Sequence, residues 1–448
     1  MSVLMGLLAA SALAQDAEDI LAMEDKAGVE LSGFADVGFL RPFYAPGSGW
    51  DVALARTESF LVGNLNVYLR ARLDDRWHSM IETRYTHLPN GVGTLDASSL
   101  TLVRQDTRVE DYTDAGRRTL TLGGIEVERA WLEYSGSDAF NLRMGQFLTP
   151  YGIWNVDHGS PAIVAILRPY VVGEALIPER QTGFQLHGKA YPGNATAGYH
   201  LTVSNGRGPS SATVDLDHNK AVGGRLWVED GRGIARAGVS GYGGRYTNTA
   251  PRLEAVTADS LDIAVDIAEQ YDELGVGTDV RVASKGWLLQ GELIANQRAY
   301  TDAGRPPIDS FDPTATGLAA DRVAWGMYTL FGHRLPFGLM PYLLVEYRVD
   351  GRAGISNSSI TRPGLNYTPI PQVALKLEAA YVRFYADGPF TEDDGARRAG
   401  LLACRLDDAV FDGVFAVDVG LDLGALDALH AVGALLDDAA EADGHVGV

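Results

Sequence analysis

Short and long connectors alternate along the chain, and this alternation restricts the possible fold more than any other feature of the sequence. The segments between the connectors have the two-residue period of β-strands. From Asn64 to Leu73, for example, apolar residues occupy every second position, and asparagine, tyrosine or arginine occupies the positions between them. We predict about sixteen such strands, which span residues 29–43, 59–73, 77–89, 124–134, 139–149, 182–191, 195–204, 219–230, 234–245, 272–283, 286–298, 321–333, 340–350, 361–370, 373–385 and 397–406.

The connectors distinguish the two ends of the predicted sheet. Every second connector is a tight turn, at residues 73–76, 135–138, 192–194, 230–233, 284–286, 335–338 and 369–371. The connectors between these turns are long, at residues 44–58, 90–123, 150–181, 205–218, 246–271, 299–320, 351–360 and 386–396. This pattern predicts an all-β fold, a transmembrane up-and-down antiparallel barrel with short periplasmic turns and long extracellular loops. Soluble sandwiches with Greek-key crossings lack such a strict alternation. The predicted location is the outer membrane of a Gram-negative bacterium.

The alternation of polarity also predicts which side chains line the interior. An arginine or lysine that faces lipid near the membrane midplane costs about 2–4 kcal/mol, so the charged residues of the strands should point inward. The predicted basic lining residues are Arg70, Arg72, Arg84, Arg129, Arg143, Lys189, Arg225, Arg236, Arg281, Arg348 and Lys376. The predicted acidic lining residues are Glu30, Asp36, Glu82, Glu133, Asp279, Glu292, Glu346 and Glu378. Basic residues therefore modestly outnumber acidic ones inside. Two interpretations stay open: these charges select ions, or they form a mutually compensating network that stiffens the wall.

The net charge of the whole chain has the opposite sign. The formal net charge is −21, but the acidic excess lies in the loops and the tail, where residues 401–448 contain nine Asp and one Glu against Arg405 alone. A permeating ion responds to the local field at the narrowest section, where low-dielectric walls focus the potential. The acidic composition is therefore a poor guide to ion selectivity.

The N-terminus has the features of a secretory signal. Val3 to Leu13 form a short apolar segment, and Ala12-Leu13-Ala14 is a small-x-small cleavage site. Because no Lys or Arg precedes this segment, we expect the true translation start to lie a few codons upstream. No run of about eighteen apolar residues follows, so a transmembrane helix is excluded. Cys404 is the only cysteine, which excludes a disulfide framework. We predict a signal peptide at 1–14, a short acidic periplasmic segment at 15–28, the barrel at 29–406 and an acidic tail at 407–448.

The third long connector, residues 150–181, is predicted to narrow the pore. It includes the stretch Ala162 to Leu167, which is too apolar for a loop in water and should pack against the barrel wall. The residues that we assign to this constriction are Trp154, Asp157, His158, Arg168 and Arg180. We expect its two arginines to stand at the constriction with Arg70, Arg72 and Arg143. Their guanidinium groups would suit phosphate or carboxylate there. The alternative is a loop that only fills space or contacts a neighbouring subunit.

Several strand-and-turn segments carry a family resemblance. They are NLRMGQF at 141–147, TPYGIWN at 149–155, LPF at 335–337 with Pro341-Tyr342, and GLNY at 364–367, which continues through Pro369-Ile370-Pro371 to Lys376. In strand order, over roughly residues 29–405, the chain resembles the phosphate-selective porin O/P family. The resemblance implies a sixteen-stranded, trimeric channel for diffusion of small anions or other solutes. Phosphate-selecting members have dense arginine and lysine ladders, whereas the basic residues predicted here are sparser and mixed with carboxylates. We therefore expect a weak preference for anions, phosphate or other oxyanions among them.

The spacing of reactive residues indicates no other chemistry. The histidines lack a metal-ligand pattern, and no hydrolase-like arrangement of Ser, His and Asp is recognisable. We therefore expect no metal, no cofactor, no nucleic-acid partner and no enzyme activity. The expected partners are the lipid bilayer of the outer membrane, the barrel assembly machinery, small anions or solutes, and further copies of the chain in a homotrimer. The alternatives are a non-conducting structural or adhesin barrel and an outer-membrane barrel enzyme.

The C-terminal tail departs from the pattern of the family, whose barrels end in a strand with a final aromatic residue. Here the last predicted strand is followed by residues 407–448, and the sequence given ends in Val448. Three interpretations compete: an out-of-frame translation, a real strand, or an acidic periplasmic appendage. A strand would explain why Val417, Val419, Leu421 and Leu423 alternate with Asp418, Gly420 and Asp422. We favour the first interpretation, which predicts that residues beyond about 406 add nothing to the barrel.

Overall fold

The described part of the chain is built from β-strands. The computed structural model describes residues 28–42, 59–86, 93–96, 101–104, 124–156, 163–166, 168–173, 176–208, 215–256, 261–306, 317–351, 357–370, 373–384 and 414–423. Its strands are β1 (Gly28–Pro42), β2 (Ser59–Arg72), β3 (Trp77–Thr86), β4 (Gly93–Asp96), β5 (Thr101–Arg104), β6 (Gly124–Ser137), β7 (Phe140–Leu148), β8 (Arg180–Ala190), β9 (Ala195–Ser204), β10 (Ala221–Asp230), β11 (Ala235–Val256), β12 (Leu261–Ser284), β13 (Trp287–Tyr300), β14 (Arg322–His333), β15 (Leu339–Val349), β16 (Ser358–Ile370), β17 (Val373–Glu378), β18 (Tyr381–Phe384) and β19 (Val414–Leu423). One helical turn, α1 (Tyr170–Gly173), lies between β7 and β8. Among the described residues, no helix is long and apolar enough to cross a membrane.

The strands form one closed antiparallel sheet. Consecutive strands pair around the barrel, and β1 pairs with β2 on one side and with β19 on the other, which closes the ring. β17 and β18 pair with successive parts of β16 and so act as one interrupted strand. β4 and β5 form a separate hairpin. With β17 and β18 counted together, the described ring contains sixteen strands, and the predicted fold class is confirmed.

The outer face of the barrel is apolar. Large side chains that alternate with buried polar residues are strongly exposed on it, for example Phe184 at 55%, Leu226 at 59% and Leu274 at 56%. A continuous apolar surface of this extent would drive association in water, whereas in a bilayer it contacts lipid. Aromatic pairs flank this belt at the short-turn rim, where the rings of Trp287 and Phe331 stack at 5.1 Å. The outer face is therefore the surface that the barrel presents to the membrane.

The inner face carries the charged residues, as the period-two pattern predicts. Arg129, Arg143, Arg225, Arg281 and Lys376 are buried on this face. So are seven of the eight predicted carboxylates, namely Asp36, Glu82, Glu133, Asp279, Glu292, Glu346 and Glu378. Buried charges of both signs are stable only when they are paired or hydrogen-bonded. The interior must therefore be organised by contacts between these side chains.

Two short turns show how the strand register is fixed at this rim. Lys285 and Gly286 have φ angles of 49° and 85°, and positive φ at both positions of a two-residue turn matches the right-handed twist of a hairpin. In the turn before β3, Asp74 Oδ1 accepts the backbone N–H groups of Arg76 and Trp77, both at 2.8 Å. These bonds to the charged form hold the pKa of Asp74 below its usual value.

The hairpin of β11 and β12 is longer than the sequence predicts. Residues 246–271 were expected to be a loop, but the two strands stay paired up to Val256 and Leu261. Above Gly243, β11 has no partner in β10, so within the described part of the chain this portion of β11 is an edge strand. An edge tolerates Pro251, because its missing N–H group is not needed by a neighbour.

The closing strand is also different from the prediction. β19 pairs with β1 from Gly33 to Pro42 and with β17 from Val373 to Glu378. The predicted boundary of the barrel at residue 406 is therefore wrong, and the interpretation that residues beyond it add nothing is corrected. The alternating segment that ends at Leu423 is a real strand. The expected last strand, 397–406, lies outside the described residues.

Candidate functional site

The connector between β7 and β8 folds into the barrel. We call its described residues, 149–156, 163–166, 168–173 and 176–179, the constriction loop. Trp154, Ala165 and Leu176 in this loop are at most 2% exposed. They belong to one buried cluster with inward-facing wall residues, which include Tyr242, Ile294, Ala324, Tyr328, Leu330, Tyr342 and Leu344. The apolar character of the loop is thus explained by an apolar arc of wall, from β10 to β15, on which it lies.

Aromatic contacts define how the loop sits on this arc. The ring of Trp154 meets the ring of Tyr328 edge to face, with centroids 5.7 Å apart. The hydroxyl groups of Tyr151 and Thr202 are hydrogen-bonded at 2.9 Å. Burial raises the pKa of Tyr151 to about 12, so this hydroxyl is neutral at any physiological pH.

Two buried carboxylates of the wall hold the main chain of the loop. Glu292 Oε1 accepts the N–H of Trp154 at 2.7 Å and the hydroxyl of Tyr328 at 2.6 Å. Glu378 Oε2 accepts the N–H of Ile166 at 3.2 Å and the hydroxyl of Tyr342 at 2.8 Å. Each carboxylate therefore joins the loop to a tyrosine of the wall. Hydrogen bonds to a charged acceptor are stronger than bonds between neutral groups. These contacts therefore fix the position of the loop along the barrel axis.

Cationic and amide groups of β16 and β17 bind the carbonyl groups of the same loop. Both Nη atoms of Arg362 donate to the carbonyl of Arg168 at 3.2 Å. Asn366 Nδ2 donates to the carbonyl of Val164 at 3.1 Å, and Lys376 Nζ to that of Ala165 at 3.5 Å. Lys376, predicted to line the pore, therefore lies beneath the loop instead. The loop covers the inner wall from β10 to β17, and we call the inner face of β1 to β8 the opposite arc.

A carboxylate at the centre of the opposite arc is surrounded by donors. Glu82 accepts bonds from Arg129 Nε at 2.5 Å and from Asn66 Nδ2 at 2.6 Å. The guanidinium of Arg129 also lies over the ring of Tyr68, 5.6 Å from its centroid. Arg129 is thus neutralised by Glu82 within the wall.

Two arginines share a second carboxylate of this arc. Arg84 Nη1 and Arg180 Nη2 contact the same atom, Glu128 Oε1, at 3.0 and 2.8 Å. Glu128 is fully buried, whereas the side chains of Arg84 and Arg180 are 20% and 28% exposed. Arg180 also lies 3.9 Å from Glu179, which accepts a bond from Arg168 at 2.7 Å. The foot of the constriction loop therefore presents partly exposed guanidinium groups to the interior of the barrel.

A third group of charges lies nearer the short-turn rim. Glu133 Oε2 contacts Arg143 Nε at 2.8 Å and His187 Nε2 at 3.0 Å. The guanidinium of Arg143 lies over the ring of Trp131 at 4.2 Å. The rings of His187 and His200 stack at 5.6 Å. Arg143 is therefore also paired and stacked within the wall.

The remaining predicted residues are distributed along the barrel. Arg70 Nη1 lies 3.6 Å from Glu30, and Arg72 Nη2 lies 3.1 Å from Asp75 at the short-turn rim. The other predicted lining residues are also on the inner face. Arg225 pairs with Asp279 at 2.5 Å, and Arg236 pairs with Glu229 at 3.0 Å. The remaining ones are Lys189, Arg281 and Arg348. Asp157 and His158 lie outside the described residues. On the wall, Arg180 contacts Glu128, which Arg84 also contacts, whereas Arg70, Arg72 and Arg143 pair with other carboxylates.

Glu128 is the most informative residue that the sequence pattern missed. The pairing of β3 with β6 shifts register between Glu82 and Thr83, so two consecutive residues, Glu128 and Arg129, both face inward. Strict alternation places only one of them inside. A bulge of this kind leaves no clear sequence signal, because it depends on the register of the partner strand.

The comparisons with known proteins show the fold. No protein-family model matches the chain, and no curated protein matches it. Solved outer-membrane structures do match over most of their length. An anion-selective porin from Comamonas acidovorans has a TM-score of 0.51 at 12% identity, over 89% of this chain and 99% of that one. OmpF of Salmonella typhi in complex with daunomycin has a TM-score of 0.51 at 11% identity, over 90% and 99%. A loop-deletion variant of OmpT from Vibrio cholerae has a TM-score of 0.50 at 9% identity, over 89% and 100%. The chain therefore has the fold of outer-membrane porins, and an outer-membrane barrel is confirmed.

Proposed function

We propose that the chain is a porin, a water-filled channel for passive diffusion of small solutes across the outer membrane, with a weak preference for anions. A closed barrel of sixteen strands leaves an aqueous lumen that its wall side chains alone do not fill. The observation that carries the proposal is the asymmetry of this lumen. The constriction loop is fixed to one apolar arc, and the opposite arc keeps polar, ion-paired side chains.

The anion preference rests on the foot of the constriction loop. Among the described residues, three arginines of this cluster, Arg84, Arg168 and Arg180, pair with two carboxylates, Glu128 and Glu179, so the cluster carries a surplus of positive charge. Most other arginines of the inner wall have a carboxylate of their own, and pairing weakens the field that a passing ion meets. A mixture of many neutralised pairs and a small surplus supports a weak preference rather than strict selectivity.

Phosphate and other oxyanions are included in the proposal as permeating solutes. The family resemblance of the sequence suggests them, and exposed guanidinium forks suit their geometry. The pairing of Arg129 with Glu82 and of Arg143 with Glu133 argues against a phosphate-specific arginine ladder. The neighbour from Comamonas acidovorans is described as an anion-selective porin, which illustrates that this fold supports such a preference. A homotrimer, assembled by the barrel assembly machinery, is proposed from the same resemblance.

The test is the electrical activity of the purified full chain in a planar bilayer. A porin gives stepwise increases in conductance as single channels insert. A non-conducting structural barrel, or a barrel enzyme with a sealed lumen, leaves the membrane current unchanged. Heat-modifiable migration on a gel shows separately that the barrel is folded. Insertion without conductance would therefore overturn the proposal.

A further inference from the structure

Three tyrosines form a row across the inner face at the long-loop rim. Tyr246, Tyr271 and Tyr300 are directly opposite one another on β11, β12 and β13. The rings of Tyr246 and Tyr271 stack with centroids 4.8 Å apart, and Tyr271 meets Tyr300 edge to face at 5.6 Å. Tyr271 is buried, whereas Tyr246 and Tyr300 are partly exposed. We call these three residues the tyrosine row.

An arginine with an unusual environment lies on this row. The guanidinium of Arg298 is placed over the ring of Tyr271, 4.8 Å from its centroid. Its Nε donates to Asn296 Oδ1 at 3.2 Å. Among the described residues, no carboxylate lies within 4.0 Å of Arg298, although Glu273 is directly opposite it on β12. Of the five N–H donors of this guanidinium, only one therefore has a partner in the described part of the chain.

The neighbours of Arg298 explain why Glu273, the carboxylate directly opposite it, does not pair with it. Both oxygens of Glu273 accept Arg207 Nε, at 3.0 and 3.1 Å, and Oε2 also accepts Asn296 Nδ2 at 3.2 Å. The chain of bonds from Arg207 through Glu273 and Asn296 thus fixes one edge of Arg298. No described residue accepts a bond from its Nη atoms, which lie at the entrance of the barrel.

The other charged residues near the row are already engaged. Arg305 lies over the ring of Tyr300 at 5.6 Å but pairs with Asp321 at 3.0 Å. Arg322, opposite Arg298 on β14, pairs with Asp350 at 3.1 Å. Glu269, which borders the row, accepts the hydroxyl of Tyr300 at 3.2 Å. Among the described arginines on this row, Arg298 is therefore the one that lies on an aromatic ring without a carboxylate partner.

We propose that Arg298 and the tyrosine row form a binding site for a small organic anion that carries a planar ring, such as an aromatic carboxylate. The carboxylate binds the free edge of the guanidinium, where two parallel N–H groups match its two oxygens. The ring packs against the exposed tyrosine faces, as aromatic rings do at 4.5–7 Å separations. This inference rests on the proposed function, since it names a class of solute that the channel concentrates at its entrance.

The site is tested by binding to the folded full chain in detergent, measured by titration calorimetry with benzoate. Acetate, which has the carboxylate but no ring, and benzyl alcohol, which has the ring but no charge, are the matched probes. We expect saturable binding of benzoate and binding about tenfold weaker for each probe, since a charge-assisted bond or an aromatic contact contributes roughly that factor. No saturable benzoate binding by the wild type, or equal binding of acetate, would overturn the proposal.

Variants distinguish binding at this site from nonspecific attraction of an anion by positive charge. Arg298→Gln should weaken benzoate binding about tenfold, and Tyr300→Leu should weaken benzoate but not acetate. The control is Arg245→Gln, which removes the same charge at the same rim from the outer face, where Arg245 pairs with Asp272 at 2.6 Å. Wild-type affinity in Arg298→Gln, or an equal loss in Arg245→Gln, contradicts the assignment.

Conductance of the same preparations distinguishes the two proposals. Benzoate binding without conductance contradicts the channel and leaves the site standing. Conductance without benzoate binding contradicts the site and leaves the channel standing.

Discussion

At the scale of single residues, the inner wall is a set of neutralised pairs with a local surplus of positive charge. Arg129 with Glu82 and Arg143 with Glu133 are buried pairs, and breaking such a pair by removing one partner is costly. The cluster at the foot of the loop differs because, among the described residues, three partly exposed arginines, Arg84, Arg168 and Arg180, pair with two carboxylates, Glu128 and Glu179. Of the two interpretations of the lining charges, compensation accounts for the pairs, and the proposed selectivity rests on this cluster.

Glu128→Gln tests the role of the surplus. The substitution keeps the size of the side chain but leaves Arg84 and Arg180 without the negative charge that they share. We expect the reversal potential under a KCl gradient to shift toward stronger anion preference. Asp272→Asn, which removes a carboxylate from the outer face, is the control and should leave the potential unchanged. A shift toward cations in Glu128→Gln would show that this cluster does not face the permeating ions.

Glu292→Gln tests the fixation of the constriction loop. The variant weakens the bonds from the Trp154 N–H and the Tyr328 hydroxyl. A hydrogen bond to a charged acceptor stabilises a fold by roughly 1.5–3 kcal/mol. We expect a larger and noisier unitary conductance, because a less firmly held loop occludes less of the lumen. Glu229→Gln, whose pair with Arg236 lies elsewhere on the wall, serves as the control. Identical conductance and noise in wild type and Glu292→Gln would mean that other contacts hold the loop.

At the scale of elements, most strands could be predicted from the sequence, whereas the anchors of the loop could not. A period of two and a regular sequence of turns are local signals, so β2, β9 and β13 are close to their predicted bounds. The apolar stretch around Ile163 likewise predicts that the loop is buried. Its anchors depend on contacts between distant positions, such as Trp154 with Glu292, 138 residues apart. The bulge at Glu128 and the closing strand β19 depend on partner strands in the same way.

Truncation tests the assignment of the closing strand. A chain that ends at Leu423 keeps β19 and should fold to a heat-modifiable barrel. A chain that ends at residue 413 lacks β19 and leaves the edges of β1 and β17 without their partner, which exposes unpaired backbone groups to lipid. We expect this second chain to lose heat-modifiable migration. Equal folding of both truncated chains would show that β19 is dispensable.

At the scale of the whole molecule, charged and apolar residues lie on different parts of one barrel. In the proposed channel, we expect the field at the narrowest section to depend on nearby paired side chains and on the surplus at the loop foot. The acidic residues that give the chain its net charge of −21 contribute little there. The apolar outer face fixes the barrel in the membrane, and the apolar part of the inner face fixes the constriction loop. In the proposed channel, the polar arc that remains is the route for water and ions.

The reversal potential of wild-type channels under a KCl gradient tests this account most directly. The measurement compares the permeability of chloride with that of potassium in the same pore, and it depends on the local field rather than on the net charge of the chain. The account predicts a permeability ratio modestly above unity in favour of chloride, which decreases in Arg84→Gln and Arg180→Gln. A wild-type channel that strongly prefers potassium would contradict it.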